Sequence, residues 1–420
     1  MYLRHTSSVT TPYPFGTSAG GAAASAGATD AFGRVRTSNP LTLFDSSHRY
    51  HDNGLWATST ATGGTSTFDA NAGLVNLAVT TSSGSEVIRE TTKCCSYQPG
   101  KSLLVMSTFT LNPAKTGLRQ RVGYYGAANG MYLELANTTL SFVERSSSTG
   151  SLVETRVAQS DWNIDPLNGT GPSNLTLDPT KSQILWMDIE WLGLGTVRLG
   201  FVINGKFVHC HSFHHANIIT STYITTASLP LRYEITNTAA TASASTLKQV
   251  CSTVLSEGGY ELRGLQQAIG TAITAPYALT TAGTYYPVIS LRLKAAALDA
   301  IVILTALSIL GATANANYNW RVMANTTTTG GTWTSAGADS SVEYNLTGTA
   351  TTGGRILAQG YFSSTNQSTA SVDILKEALF KFQLERDGLT ATPYELSLVV
   401  TASVSTSNVH ASMDWEEISR

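Results

Sequence analysis

Along most of the chain, apolar and polar residues alternate with period two in short runs closed by Gly, Asn or Ser. Successive strand side chains point to opposite faces, so this pattern predicts half-buried β-strands. The clearest run is Ile184 to Leu192, ILWMDIEWL. Leu185, Met187, Ile189 and Trp191 fall on one face, and Ile184, Trp186, Asp188 and Glu190 on the other. It reads as a central strand of a large sandwich. Just after it, two alternating runs in Val197 to Phe213 flank Asn204-Gly205, the residue pair preferred in a type I′ hairpin turn. Runs at Trp56 to Thr60, Gly73 to Thr80, Ser102 to Leu111, Met131 to Leu135 and Thr139 to Glu144 complete a first β region. A second follows at Val288 to Leu293, Ile301 to Leu310, Trp320 to Met323, Val342 to Leu346, Ile356 to Phe362, Leu379 to Leu384 and Tyr394 to Thr401. Val372 to Leu379 is the one short stretch that reads as helix.

Two stretches break the pattern. Residues 1–40 hold TTPYPFG and a Gly/Ala/Ser run without periodicity. Such a composition cannot order itself, so an extended arm that docks on a neighbouring subunit is expected. Residues 266–284, rich in Ala, Thr and Gly, read as a linker. The expected organisation is an arm at 1–40, a β-sandwich at 41–265, a linker at 266–284 and a smaller β-sandwich at 285–420.

Composition narrows the function. The chain has 420 residues, of which only 13% are charged, with 26 Lys and Arg against 28 Asp and Glu. Nothing supplies the basic excess that nucleic-acid binding needs. A hydrophobic share of 42% excludes a disordered chain. Low charge and abundant Thr, Ser and Gly place hydroxyls and amides on the surface, as suits a subunit of an assembly. The four cysteines, Cys94, Cys95, Cys210 and Cys251, form no CxxC pattern and read as buried free thiols. No signal peptide is expected at the start. The apolar stretch Ala295 to Ala312 contains Asp299 and reads as a buried strand pair, not a membrane span.

Two constellations could carry chemistry. Asp188 and Glu190, two apart on a strand, would share a face at roughly 7 Å, and paired carboxylates are what glycoside hydrolysis needs. Retaining glucanases of the concanavalin-like sandwich present Glu-x-Asp-x-x-Glu on such a strand. Here Trp186 and Trp191 occupy the two flanking acidic positions, so a polar outer sandwich face is the expected reading. The second constellation is His209, Cys210, His211, His214 and His215. His209 and His211 would share a face, an acceptable start for a transition-metal site, but no carboxylate lies nearby in sequence. No metal, cofactor or catalytic residue is assigned. No GxSxG nucleophile elbow is expected, since the one match to that pattern, Gly16 to Gly20, lies in the Gly/Ala/Ser run without periodicity, and P-loop, Rossmann and HExxH motifs are absent. Most of the seven tryptophans are expected in the core.

Several blocks resemble virion proteins of tailed phages, many of them infecting cyanobacteria. They are DAFGRVRTSN (Asp30 to Asn39), PLTLFDSSHRY (Pro40 to Tyr50), VGYY (Val122 to Tyr125) and DWN (Asp161 to Asn163). MDIEWLGLGTVRLGF (Met187 to Phe201), FHHAN (Phe213 to Asn217), LPLRYEITNT (Leu229 to Thr238), EGGYELRG (Glu257 to Gly264) and PVISLRL (Pro287 to Leu293) continue the series. The resemblance covers most of residues 30–310 and implies a structural, tail-fibre-like protein without catalytic residues. With it, the expected fold is all-β: a concanavalin-like jelly-roll sandwich, a smaller β-sandwich and an extended N-terminal arm. The expected role is a non-enzymatic virion component, a tail fibre, fibre adaptor or baseplate-attached protein. A head decoration protein, or a glycan-binding or glycan-cleaving tailspike, are the alternatives. Phe32, Arg34 and Arg36 are the candidate anchors to other virion proteins, since aromatic and guanidinium groups dominate interface hot spots. A homotrimer is preferred, a host surface glycan is a possible partner, and neither nucleic acid nor a membrane span is expected.

Overall fold

The computed structural model describes residue 30, residues 39–364, 371–374 and 381–419. The arm at 1–40, with Phe32, Arg34 and Arg36, lies almost wholly outside the described residues. The chain divides into two compact units, one of residues 1–90 and 97–260, the other of residues 91–96 and 261–420. Both are all-β.

In the first unit two antiparallel sheets face each other as a jelly-roll sandwich. One runs in the order Lys206–Phe213, Val197–Ile203, Gln183–Ile189, Leu103–Thr110, Ser245–Ser256, Leu74–Val79 and Thr65–Asp69, with Leu41–Ser47 also pairing on Ser245–Ser256. The other runs Val153–Ala158, Thr139–Ser146, Gly130–Ala136, Leu118–Tyr125, Leu231–Asn237, Glu86–Thr91 and Trp56–Ala61. Their inner faces meet through rings and hydrogen bonds. Phe142 stacks over Phe201 at 6.1 Å between centroids. The Tyr233 hydroxyl lies 2.8 Å from Ser252 Oγ. Arg89 Nε donates to Gln249 Oε1 at 2.8 Å. Leu185, Met187 and Ile189 are fully buried in this core, as the alternation of their strand requires. That strand is interior to its sheet, and Asn204 and Gly205 form the predicted hairpin turn with φ of 52° and 73°.

The second unit is a smaller sandwich. A five-stranded sheet orders Leu265–Gly270, Ser407–Ser419, Ile301–Gly311 and Ser371–Ile374, with Tyr277–Leu279 also on Ser407–Ser419. A six-stranded sheet orders Thr334–Ser335, Val342–Asn345, Tyr286–Leu293, Glu395–Ala402, Asn317–Thr329 and Ala350–Ser363. Leu307, Ile309, Val322, Leu398, Val400 and Trp415 build its core.

Several local expectations are corrected. The stretch 266–284, read as a linker, contributes Leu265–Gly270 and Tyr277–Leu279 to the second unit's sheet. Both are short strands laid along Ser407–Ser419, and the Ala-, Thr- and Gly-rich residues between and after them concealed their pattern. Of the stretch Val372 to Leu379, read as helix, residues 372–374 pair as a strand with Ala306 to Ser308, and residues 375–379 fall outside the described residues, as do Leu379 and Phe380 of the strand expected at Leu379 to Leu384. Residues 381–384, the described part of that expected strand, form only an isolated bridge, Gln383 to Ile303. Ala295 to Ala312 is one 3₁₀ turn followed by one strand, Ile301–Gly311, not a strand pair. Among the described residues no helix is long and apolar enough to cross a membrane. Cys94, Cys95 and Cys210 are buried, whereas Cys251 is exposed.

Candidate functional site

The strand Gln183–Ile189 positions Asp188 opposite Arg198 in the neighbouring strand. Asp188 is fully buried, and Arg198 Nη2 donates to its Oδ2 at 2.5 Å. A charge removed from water needs such a partner. Glu190 follows the strand's end and is equally buried. Its Oε1 accepts the Tyr97 hydroxyl at 2.8 Å. Burial and the Glu190 charge push the Tyr97 phenol well above its ordinary range, so it stays a donor. The two carboxylates are thus held by different partners, and neither side chain is presented to solvent. Trp186, on the Asp188 face, is sealed under Leu104, Met106, Val202 and Phe207.

The histidine segment differs from its sequence reading. Leu199 pairs with His211 and Gly200 with His209, so Cys210 is the extra residue of a β-bulge. One inserted residue reverses the alternation beyond it. His209 therefore packs against Trp186 on the outer face. His211 lies against Phe142 and Phe213 on the inner face. The expected shared face is lost. His209 Nε2 is 2.9 Å from Ser212 Oγ, and burial, with Arg198 nearby, pushes its pKa down to about 3. Burial takes His211 down to about 4. His215 stacks on Tyr223 at 3.9 Å, donates from Nδ1 to Gly195 O at 2.6 Å, and brings Nε2 within 2.7 Å of Glu144. Among the described residues no three His, Cys, Asp or Glu side chains converge as a metal site.

One polar array was not anticipated. On the outer face of the seven-stranded sheet, arginines and glutamates interleave across five strands. Arg121 Nε donates to Glu134 Oε2 at 2.7 Å and Nη1 to Glu234 Oε1 at 3.4 Å. Arg119 and Arg232 also pair with Glu234, at 2.9 and 3.2 Å. Arg145 holds Glu154 at 2.6 Å, and Arg156 bridges Glu134 and Glu154. Tyr125 and Tyr132 lie between them, with ring centroids 4.5 Å apart and guanidiniums over both rings. The rings pass over Gly123, where a Cβ would meet Tyr132 Cβ at 2.6 Å. Burial works to raise the Glu154 pKa, but hydrogen bonds from Tyr132, Arg145 and Arg156 outweigh it and hold it at about 2. The sequence signal was present in Arg119-x-Arg121, Glu134, Arg145 and Glu154-x-Arg156: charges at period two on successive short strands.

A cleft of about 340 Å³ opens between the Asn204-Gly205 hairpin and the loop 164–175, lined by Ile164, Asp165, Leu175, Lys206, Val208 and His209. Asp165 shapes the loop, accepting the Leu167 and Ser173 amides at 2.9 and 2.8 Å. Gly171 is obligatory there, since a Cβ would sit 2.1 Å from Asp165 Oδ1. Among the described residues no tryptophan lines the cleft. Five of the seven, Trp56, Trp162, Trp186, Trp320 and Trp415, are buried.

No known family and no curated protein sequence matches the chain. Solved structures do. A protein of unknown function from Shewanella oneidensis has 10% identity and a TM-score of 0.35, covering 53% of this chain and 90% of that one. A carbohydrate esterase from the Shiga toxin-encoding bacteriophage phi24B has 12% identity and a TM-score of 0.32, covering 52% and 99%. A mixed-linkage glucan GH16 protein from Bacteroides ovatus has 9% identity and a TM-score of 0.33, covering 50% and 99%. No residue role is carried over from any of them.

Proposed function

We propose that this chain is a non-enzymatic structural protein of a tailed-phage virion, placed at the tail as a fibre, fibre adaptor or baseplate-attached component. The observation that carries the reading is the way the blocks resembling virion proteins interlock. Tyr124 of VGYY donates its hydroxyl to Ala227 O at 2.6 Å and accepts the Leu229 amide of LPLRYEITNT at 3.0 Å. Asn163 of DWN exchanges two hydrogen bonds with Ser212, both 2.9 Å. His215 of FHHAN ties to Gly195 of the MDIEWLGLGT block. Residues that carry the resemblance are spent on holding the sandwich together. Asp188 and Glu190 are likewise closed into internal pairs, which supports a role without catalysis. The arm, through Phe32, Arg34 and Arg36, would dock the protein on its neighbours in the particle, and a homotrimer is the assembly we favour.

Quantitative mass spectrometry of purified virions, with antibody labelling in the electron microscope, tests this. A few to tens of copies at the tail are expected. Hundreds of copies over the head would replace the reading with head decoration. Absence from the particle would overturn it.

The cleft beside Lys206 and His209 favours a second reading, binding of a host surface glycan, because concave sites with a few polar groups are where small ligands settle. Loss of polysaccharide binding in Lys206→Ala would support it. Polysaccharide cleavage by the native protein, abolished by Asp188→Asn with Glu190→Gln, would instead establish a tailspike enzyme.

A further inference from the structure

The second unit brings together a lysine, a carboxylate and a carboxamide from three distant stretches. Lys93 belongs to the short segment 91–96, which is tied into this unit by the Arg386 amide on Thr92 O and Gln383 Nε2 on Cys94 O, both 2.9 Å. The Glu385 side chain is 2% exposed. Its Oε1 lies 3.8 Å from Lys93 Nζ. Its Oε2 accepts Asn325 Nδ2 at 3.3 Å and Thr92 Oγ1 at 3.1 Å. One buried carboxylate therefore touches both the amine and the amide nitrogen.

Asn325 is held for this contact by its backbone. Ala324 pairs with Leu396 and Thr326 with Glu395, which leaves Asn325 as the extra residue of a β-bulge. Its φ is 60°, a left-handed conformation that Asn tolerates better than most residues. Bulges re-aim a side chain and are frequent beside reactive sites. The Asn325 Oδ1 atom is buried and has no hydrogen-bond partner among the described residues. The amine is prepared as well. Burial lowers the Lys93 pKa, and Arg355, whose Nη2 donates to Glu385 Oε1 at 3.1 Å, acts in the same direction against the pull of Glu385. A desolvated lysine that sheds its proton becomes a nucleophile.

We propose that Lys93 and Asn325 are joined by an isopeptide bond whose formation Glu385 catalyses. The Nζ lone pair attacks Asn325 Cγ and forms the new C–N bond. Glu385 takes a proton from Nζ and delivers it to Nδ2. The Cγ–Nδ2 bond breaks, its electron pair stays with nitrogen, and one ammonia leaves. No oxidant, metal or cofactor enters the balance. The link ties the 91–96 segment to the strand Asn317–Thr329 and closes the long loop between them, which restricts the unfolded chain as any cross-link does.

Intact-mass spectrometry of the purified full chain tests the proposal, followed by fragment sequencing after proteolysis. The native protein is expected to be lighter than its sequence by one ammonia and to yield a branched fragment joining the Lys93 and Asn325 peptides. Lys93→Arg, Asn325→Gly and Glu385→Gln are each expected to restore the full sequence mass. A native protein of full mass, folded by circular dichroism, would overturn the link. So would an ammonia loss that persists in Lys93→Arg, because that marks a succinimide at Asn325. Retention of the branched fragment in Glu385→Gln would remove Glu385 from the chemistry.

Discussion

The two sandwiches satisfy polar groups on a sheet face in opposite ways. The first unit covers its seven-stranded sheet with long charged side chains that lie across one another, Arg121 on Glu134 and Glu234, Arg145 on Glu154, with tyrosine rings between. The second unit uses short hydroxyls. Ser290 Oγ lies 2.8 Å from Thr328 and 2.7 Å from Ser397, which lies 2.7 Å from Thr326. Both arrays pair what would otherwise be costly to bury. They differ in what a broken pair leaves behind: a charge in one, a neutral hydroxyl in the other.

The largest expected effect lies in the charged array. Arg121→Ala removes the buried guanidinium that Glu134 and Glu234 share, leaving Glu134 to Arg156 and Glu234 to Arg119 and Arg232, and should destabilise the first unit by about 3 kcal/mol in denaturant unfolding. Arg292→Ala, which breaks a part-exposed pair with Glu343 at 3.0 Å, should cost less than about 1 kcal/mol. Equal losses in the two variants would dissolve the distinction between buried array and surface pair.

Acid should act on the first unit in two steps. His209 and His211 have folded pKa values depressed to about 3 and about 4, so the unfolded chain takes up protons first as pH falls. Their contribution is complete above about pH 6.5 and is lost on descent toward those values. Glu154, held at about 2, contributes fully above the ordinary carboxylate range and loses its contribution as pH falls from about 4.5 to 2. Unfolding midpoints measured from pH 7 to pH 2 should fall through both windows. Glu154→Gln should flatten only the lower one.

Smaller effects sharpen the same contrast. Ser397→Ala removes a hydroxyl that Thr326 shares and should cost about 1.5 kcal/mol, well under Arg121→Ala. Gly205→Ala should cost about 1 kcal/mol from its φ of 73° alone, since nothing lies within 4 Å of the added Cβ. A chelator should leave the melting midpoint where it is, because the bulge at Cys210 sends His209 and His211 to opposite faces.

Much of the fold was legible because strand periodicity is local. The run ILWMDIEWL announced which side chains enter the core, and Asn204-Gly205 announced its turn. The candidate chemistry was less legible. Asp188 and Glu190 looked like a pair, yet their partners, Arg198 on the next strand and Tyr97 far upstream, decide that they are closed. The histidines misled because a bulge is a feature of register between strands, and no residue in HCHSFHH marks it. The small-residue stretch 266–284 misled because a strand seated at an edge needs little hydropathy of its own.

The sequence by itself determined the class: alternating runs, few charges and abundant hydroxyls point to β-sheets. Tertiary structure alone decided how each polar side chain is used. The charged array gathers side chains from five strands, and Lys93, Asn325 and Glu385 meet across more than two hundred residues of chain. Period and propensity act over a few neighbouring residues, whereas pairing a buried charge or nucleophile depends on which distant strand is laid beside it.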